Sequence, residues 1–250
     1  MNGRLQGRVA LITGAARGQG EAAARRFVAE GARVVLGDLL DCAPLATELG
    51  EAAAAIGMDV SREEDWHAAV ALAESRFGRL DTLVNNAGVV RIAPLLETSL
   101  ADYRAVVEVN QTGCFLGLRV AGAAIVRAGG GAIVNVSSTG GLEGVPRSIA
   151  YAASKHAVKG MTMTAAIELG PLGVRVNAVH PGGVDTPMLG LSAEARAEGF
   201  RFLPLGRIAE PAEIARVVAF LASDEASYMT GSSLLVDGGS MAGPLGWNME

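Results

Sequence analysis

The chain has 250 residues, half of them hydrophobic and 33 of them glycine, with a formal charge of −5. That length and apolar content are enough to bury a full core and fit one α/β domain over 1–250, while an acidic balance with no clustered basic patch argues against nucleic acid as a partner. No apolar run approaches the roughly 18 residues of a membrane span, and a signal-peptide core is missing because 9–12 already reads as a strand, so no membrane partner and a soluble, cytoplasmic protein are expected.

In chain order, strands are predicted at 9–13, 33–38, 54–58, 82–85, 132–136, 174–179 and 233–236. Helices are predicted near 18–30, 42–50, 62–77, 100–128, 150–169 and 211–223. Each gap between strands is long enough to carry a crossover. The pattern predicts a doubly wound, Rossmann-type parallel sheet of seven strands with helices on both faces. The strands read as continuous apolar runs, as helix-covered strands do. The stretch 187–207 is too long for a plain turn and is a candidate substrate loop. The tail 240–250 is more apolar than a free tail should be, and Trp247 is expected to pack over a cleft or a subunit contact.

In an open parallel sheet, ligands bind beyond the carboxyl ends of the strands. The first strand runs into Thr13-Gly-Ala-Ala-Arg-Gly-Gln-Gly20 and then a helix. Gly14, Gly18 and Gly20 permit a tight turn and close backbone approach, and the helix N-terminus offers amides to a pyrophosphate. The spacing is longer than G-x-G-x-x-G, which implies a longer turn. Asp38 ends the second strand; a carboxylate there accepts from an adenosine ribose and repels a 2′-phosphate, favouring NAD(H). Arg17 opposes that reading, because a guanidinium can pair with the phosphate. Asp59-Val60 follows the third strand and can contact the adenine.

The fourth strand ends in Asn85-Asn-Ala-Gly88, and Asn110 is a poor helix former inside an apolar helical run. The fifth strand ends in Ser137 and Ser138. Thirteen residues on stands Tyr151, with Lys155 four further along the same helix and so on the same face. A tyrosine with its ordinary pKa of about 10 needs about 4 kcal/mol of help to exchange protons near neutrality, and a cation at about 4 Å in a medium of effective dielectric near 20 supplies about that. The chain has only two lysines against nineteen arginines, so a lysine here points to a need for a compact ammonium. Cys42 and Cys114 suit neither a disulfide framework nor a metal site. His67, His156 and His180 are scattered, so no metal is expected.

These motifs, in this order and spacing and together with Pro181-Gly182, resemble the short-chain dehydrogenase/reductase family over essentially the whole chain. Within it the sequence is most similar to the bacterial NAD-dependent 3α/20β-hydroxysteroid dehydrogenases, through 37–41, 165–171, 179–182 and 221–228. The resemblance implies that Tyr151 is the acid/base, that Lys155 lowers its pKa and holds the nicotinamide ribose, and that Ser138, in preference to Ser137, bonds the carbonyl. Asn110 anchors a water in a proton relay. By the same resemblance the expected cofactor is NAD(H), held by Gly14, Arg17, Gln19, Gly20, Asp38, Asp59, Val60, Asn86, Gly88, Tyr151, Lys155, Pro181, Gly182, Val184 and Thr186. Family members are homotetramers or homodimers, and the helices at 100–128 and 150–169 are the expected contact, with Gly117, Gly122 and Gly160 permitting close approach between subunits or within the chain.

The substrate is an alcohol or ketone. Val90, Ile92, Thr139, Leu142, Val145, Gly183, Met188, Leu189 and Phe202 are candidate pocket walls; they suit a steroid, an alicyclic ketone or an aryl ketone equally, with Glu143 as the polar exception. Two other readings stand beside the hydroxysteroid-like ketone reductase: an NADPH-dependent 3-oxoacyl thioester reductase, and a dinucleotide-binding regulatory protein without turnover.

Overall fold

A computed structural model describes residues 3–190, 192 and 200–243; the tail around Trp247 and much of the 187–207 stretch lie outside the described residues. Seven strands, β1 (Val9–Thr13), β2 (Arg33–Asp38), β3 (Ala53–Gly57), β4 (Thr82–Asn85), β5 (Gly131–Val136), β6 (Val174–Pro181) and β7 (Ser233–Val236), form one parallel sheet in the order 3-2-1-4-5-6-7. The order reverses between β1 and β4, the point where a crevice opens at the strands' carboxyl ends. β3 is displaced by one residue from the predicted 54–58. The run Ala52 to Ala55 offers no contrast between faces, so pairing with β2 decides the register.

Helices α1 (Gly18–Ala29) and α6 (Pro211–Ala222) cover one face, and α3 (Glu63–Phe77), α4 (Leu100–Arg127) and α5 (Ile149–Leu169) the other, with α2 (Ala43–Leu49) beside the β2–β3 edge. The alternation of side chains along β1 feeds both cores: Ala10 and Ile12 pack with Phe27, Ile214 and Leu221, while Val9 and Leu11 pack with Trp66, Phe77 and Ile125. Each large side chain withdrawn completely from water contributes about 1.5–3 kcal/mol. The two edge strands are the exceptions to the apolar-run rule. β7 alternates exposed and half-buried positions, and β3 has only Ala53 fully buried.

By length and composition α4 meets the measure of a membrane span, contrary to the expectation of no such stretch; 61% of its most apolar window is buried within this fold. It is also not a regular helix. π-turns occupy Glu108–Thr112 and Gly117–Ala121, the first of them around Asn110, the residue whose low propensity marked the place. Gly117 serves packing inside the chain, since a Cβ there would stand 2.5 Å from the Trp66 ring and 2.4 Å from Asn85 Oδ1.

Candidate active site

Beyond β1 and β4 lies a cleft of about 350 Å³. Its floor is the glycine turn. Gly14 and Gly18 take φ of 64° and 61°, left-handed values that cost other residues about 1–2 kcal/mol. Gly20 has no room for a side chain: a Cβ would lie 2.0 Å from the Gly14 carbonyl oxygen. Asn86 holds the turn in place, its Nδ2 donating to the carbonyls of Thr13 (2.8 Å) and Gly14 (3.1 Å), while the Thr13 hydroxyl accepts the amides of Asn86 and Ala87. The Asn86 Nδ2 is thereby committed to the turn, while the residue itself lines the cleft. Arg17, the N-cap of α1, supplies no side-chain cap, so the first amides of the helix are left for an anion in the cleft.

Asp38 stands at one end of the cleft. Its Oδ2 accepts the Ala16 amide and its Oδ1 the Leu40 amide, both at 2.9 Å, which fixes the carboxylate at the rim. Leu39 and Leu40 line the same end with 74% and 49% of their surfaces exposed, an apolar pair ready to be covered by a flat ring. Asp59 and Val60 also line it; Asp59 Oδ1 accepts from the Ser61 amide and hydroxyl, and the Val60 carbonyl accepts from the Trp66 indole. Arg17 is exposed, and its guanidinium has no partner among the described residues.

At the other end the structure brings together Ser138, Tyr151 and Lys155. Ser138 Oγ accepts the Gly140 amide (3.1 Å) and lies near enough to the Tyr151 phenol to favour its ionised form. Ser137 is a different case: its hydroxyl donates to the Lys155 carbonyl (3.0 Å), a structural bond along the root of α5. Lys155 is 5% exposed, donates from Nζ to the Val136 carbonyl (2.8 Å) and lies 5.7 Å from the centre of the Tyr151 ring. Burial lowers the lysine's pKa from 10.5 to about 8. It raises that of Tyr151, with the Ser138 hydroxyl opposing the rise. In the protein alone, loss of water dominates the phenol.

Asn110 is 2% exposed and fully engaged: Oδ1 accepts the Val89 amide (2.8 Å), and Nδ2 donates to the Val89 carbonyl (2.9 Å) and the Ser154 hydroxyl (3.0 Å). It clamps the chain after Gly88 to α5, and its Oδ1, with one bond accepted, keeps a second acceptor site. A cavity of about 10 Å³ lined by Asn85, Asn110, Cys114 and Lys155 is the least that holds one water molecule.

Gly14, Gln19, Gly88 and Thr186 line the cleft, and Gly18 abuts the Thr186 side chain. Pro181, Gly182 and Val184 are not in its wall. Pro181 and Gly182 pair with Val236 on β7, and Val184 is buried against Ala209. Gly183 likewise packs on Ile208 and Phe200 rather than facing the mouth. Of the proposed walls, Ile92, Met188 and Phe202 are exposed, and Phe202 stacks on Phe200. Sequence reasoning overlooked Arg147, at φ 61°, whose carbonyl accepts the Ala93 amide (2.8 Å) and joins the two segments flanking the catalytic end. It also missed the bond from His180 to Ser138.

A parallel sheet with a glycine turn open to an anion, a fixed carboxylate at the cleft rim and a buried Ser-Tyr-Lys cluster defines a dinucleotide-binding oxidoreductase. A family model described as Enoyl-(Acyl carrier protein) reductase matches residues 14–241. A 3-alpha-(or 20-beta)-hydroxysteroid dehydrogenase of Mycobacterium tuberculosis is 46% identical over 97% of this chain and 93% of its own. A trans-4-hydroxycyclohexanecarboxylate dehydrogenase of Sinomonas cyclohexanicum is 45% identical over 96% of this chain and 95% of its own. The crystal structure of levodione reductase superposes with a TM-score of 0.90 at 37% identity, covering 96% of this chain and 99% of that one. The chain belongs to the short-chain dehydrogenase/reductase family. It is accordingly an alcohol oxidoreductase that works with a nicotinamide dinucleotide.

Proposed function

We propose that the chain interconverts a secondary alcohol and a ketone with NAD(H), on a bulky apolar or alicyclic substrate such as a hydroxysteroid, with Tyr151 as general acid and base. The observation that carries this reading is the meeting of Ser138, Tyr151 and Lys155 at one end of a cleft that has a fixed carboxylate, Asp38, at the other.

The dinucleotide, when bound, supplies or accepts the hydride. Tyr151, its pKa raised by burial, keeps its proton near neutrality and is ready to hand it to a ketone oxygen. Ser138 polarises that oxygen from the side. Lys155 has one of its three N–H bonds on Val136, which leaves two for ribose hydroxyls. Its charge then favours the phenolate that alcohol oxidation requires. A water in the small cavity beside Asn110 and Lys155 would carry the proton onward. Asp38 would accept from the adenosine ribose and repel a 2′-phosphate, and the exposed Leu39 and Leu40 would pack against the adenine.

The exposed apolar side chains Phe115 on α4 and Met163 and Ile167 on α5 support assembly through these helices into a dimer or tetramer, which light scattering on the eluted protein measures. The names of the steroid and cyclohexane-ring relatives support the substrate class. The test is the initial rate of coenzyme oxidation with NADH and NADPH against a 20-ketosteroid, a 3-ketosteroid, a cyclic diketone, an aryl ketone and an acetoacetyl thioester. An NADH-linked rate on a ring ketone is expected. An NADPH-linked rate on the thioester would instead establish the second reading, which the exposed Arg17 favours. A Tyr151→Phe protein that keeps its turnover would remove the mechanism.

A further inference from the structure

The strand β6 delivers a histidine to the catalytic end one residue before Pro181. His180 has no exposed surface, and its Nδ1 lies 2.9 Å from the carbonyl oxygen of Ser138. A carbonyl only accepts, so Nδ1 carries the proton. Nε2, on the far side of the ring, is buried with no hydrogen-bond partner among the described residues. Burial holds the ring's pKa below its ordinary value against the bond to Ser138, and the nearby Lys159, Lys155 and His156 act in the same direction as burial. The ring is a neutral Nδ1–H tautomer.

That bond falls where the sheet stops holding the chain. The last β5–β6 contact is the Ser137 amide on the Val179 carbonyl (2.8 Å). Ser138 comes next, in an extended conformation, and its carbonyl takes two bonds. One, from the Gly141 amide (2.9 Å), is local to the turn; the other, from His180, comes from the neighbouring strand. The imidazole thus extends the sheet's grip by one residue, to the residue whose hydroxyl meets Tyr151.

Packing does not account for this choice of side chain. A leucine would fill a similar volume without burying an unpaired nitrogen, whose desolvation counts against the fold. We infer that His180 is a positioning residue, fixing the Ser138 peptide plane from β6 and with it the direction in which the Ser138 hydroxyl meets Tyr151 and the substrate oxygen. The inference rests on the function proposed above.

His180→Leu, His180→Asn and His180→Gln separate position from packing. Asparagine sets its amide nitrogen where Nδ1 stands; glutamine sets it further out; leucine has none. The expected result is a His180→Leu protein that melts no lower than the parent but loses about tenfold or more in kcat, as small misplacements of reacting groups do, with the KM for coenzyme within about twofold. Asparagine should restore most of kcat and glutamine little. A leucine protein with parental kcat, or asparagine and glutamine proteins equally impaired, overturns the inference; this last comparison stands even if the leucine protein does not fold. The chain has only three histidines, so nitrogen-15 spectra of the ring read the tautomer directly. A protonated Nε2 would refute the bond whether or not a substrate has been found. Absence of turnover in the parent protein would count against the proposed function, not against the His180 bond.

Discussion

Replacing Lys155 with methionine should make the protein more stable and inactive. In the folded protein the lysine titrates at about 8 instead of 10.5, because burial penalises its charge. Keeping the ammonium at neutral pH therefore costs the fold about 3 kcal/mol. Methionine removes that cost and fills much of the same space, but it leaves the Val136 carbonyl without the bond now made at 2.8 Å, a loss of about 1–2 kcal/mol. The net gain at pH 7 is about 1–2 kcal/mol, or about 2–8 °C in Tm for a chain of this length. The sign with pH follows from the two values. Below pH 8 both states hold the proton. Between 8 and 10.5 the unfolded chain keeps a proton that the folded protein has lost, so the parent gains stability as pH rises and has gained it fully above 10.5. Lys155→Met cannot share that gain. Urea unfolding followed by circular dichroism, without nucleotide and at equal protein concentration from pH 7 to 10.5, measures the difference. A variant less stable than the parent at pH 7, or a difference that does not change with pH, would refute the reasoning.

Asp38→Ala should narrow the preference for NADH over NADPH by about 10- to 100-fold, the loss of about 1.4–3 kcal/mol of discrimination; an unchanged ratio of kcat/KM values would remove the argument that this carboxylate selects the coenzyme. Arg147→Gly relieves a non-glycine residue at φ 61° and, after the extra chain entropy of glycine, should raise stability by about 0.5–1 kcal/mol. A lower denaturation midpoint in that variant would mean that the arginine side chain contributes more than its backbone strain costs.

The features legible in the sequence are those that repeat over a short distance. The seven strands and six main helices follow from apolar runs and helical spacing, and the four-residue step from Tyr151 to Lys155 is fixed by the helix itself. Ser138 could be preferred to Ser137 only by resemblance. The structure supplies the physical reason, since the Ser137 hydroxyl is bound to the Lys155 carbonyl and the Ser138 hydroxyl lies beside the phenol. Bonds between distant parts of the chain were not legible. Asn86 reads as a nucleotide contact, yet its amide reaches back 73 residues to Thr13. His180 lies 42 residues from the serine it holds and resembles any buried ring in the sequence. The burial that raises the Tyr151 pKa was not legible either, because charge spacing is visible in a sequence and burial is not.

The bond from the Ala93 amide to the Arg147 carbonyl has an evolutionary consequence. It joins the segments on both sides of the substrate entrance through main-chain atoms, which every residue except proline provides at the donor position. Side chains along both segments, such as Val90, Ile92, Leu142 and Val145, can therefore be exchanged while the frame that carries them stays joined. The reacting cluster has no such freedom, because there each bond depends on one particular hydroxyl or amine. A scaffold divided in this way can change the substrate it accepts without altering the chemistry it performs, and a library randomised at those four positions with Ala93 excluded from proline should yield mostly folded proteins with shifted preferences.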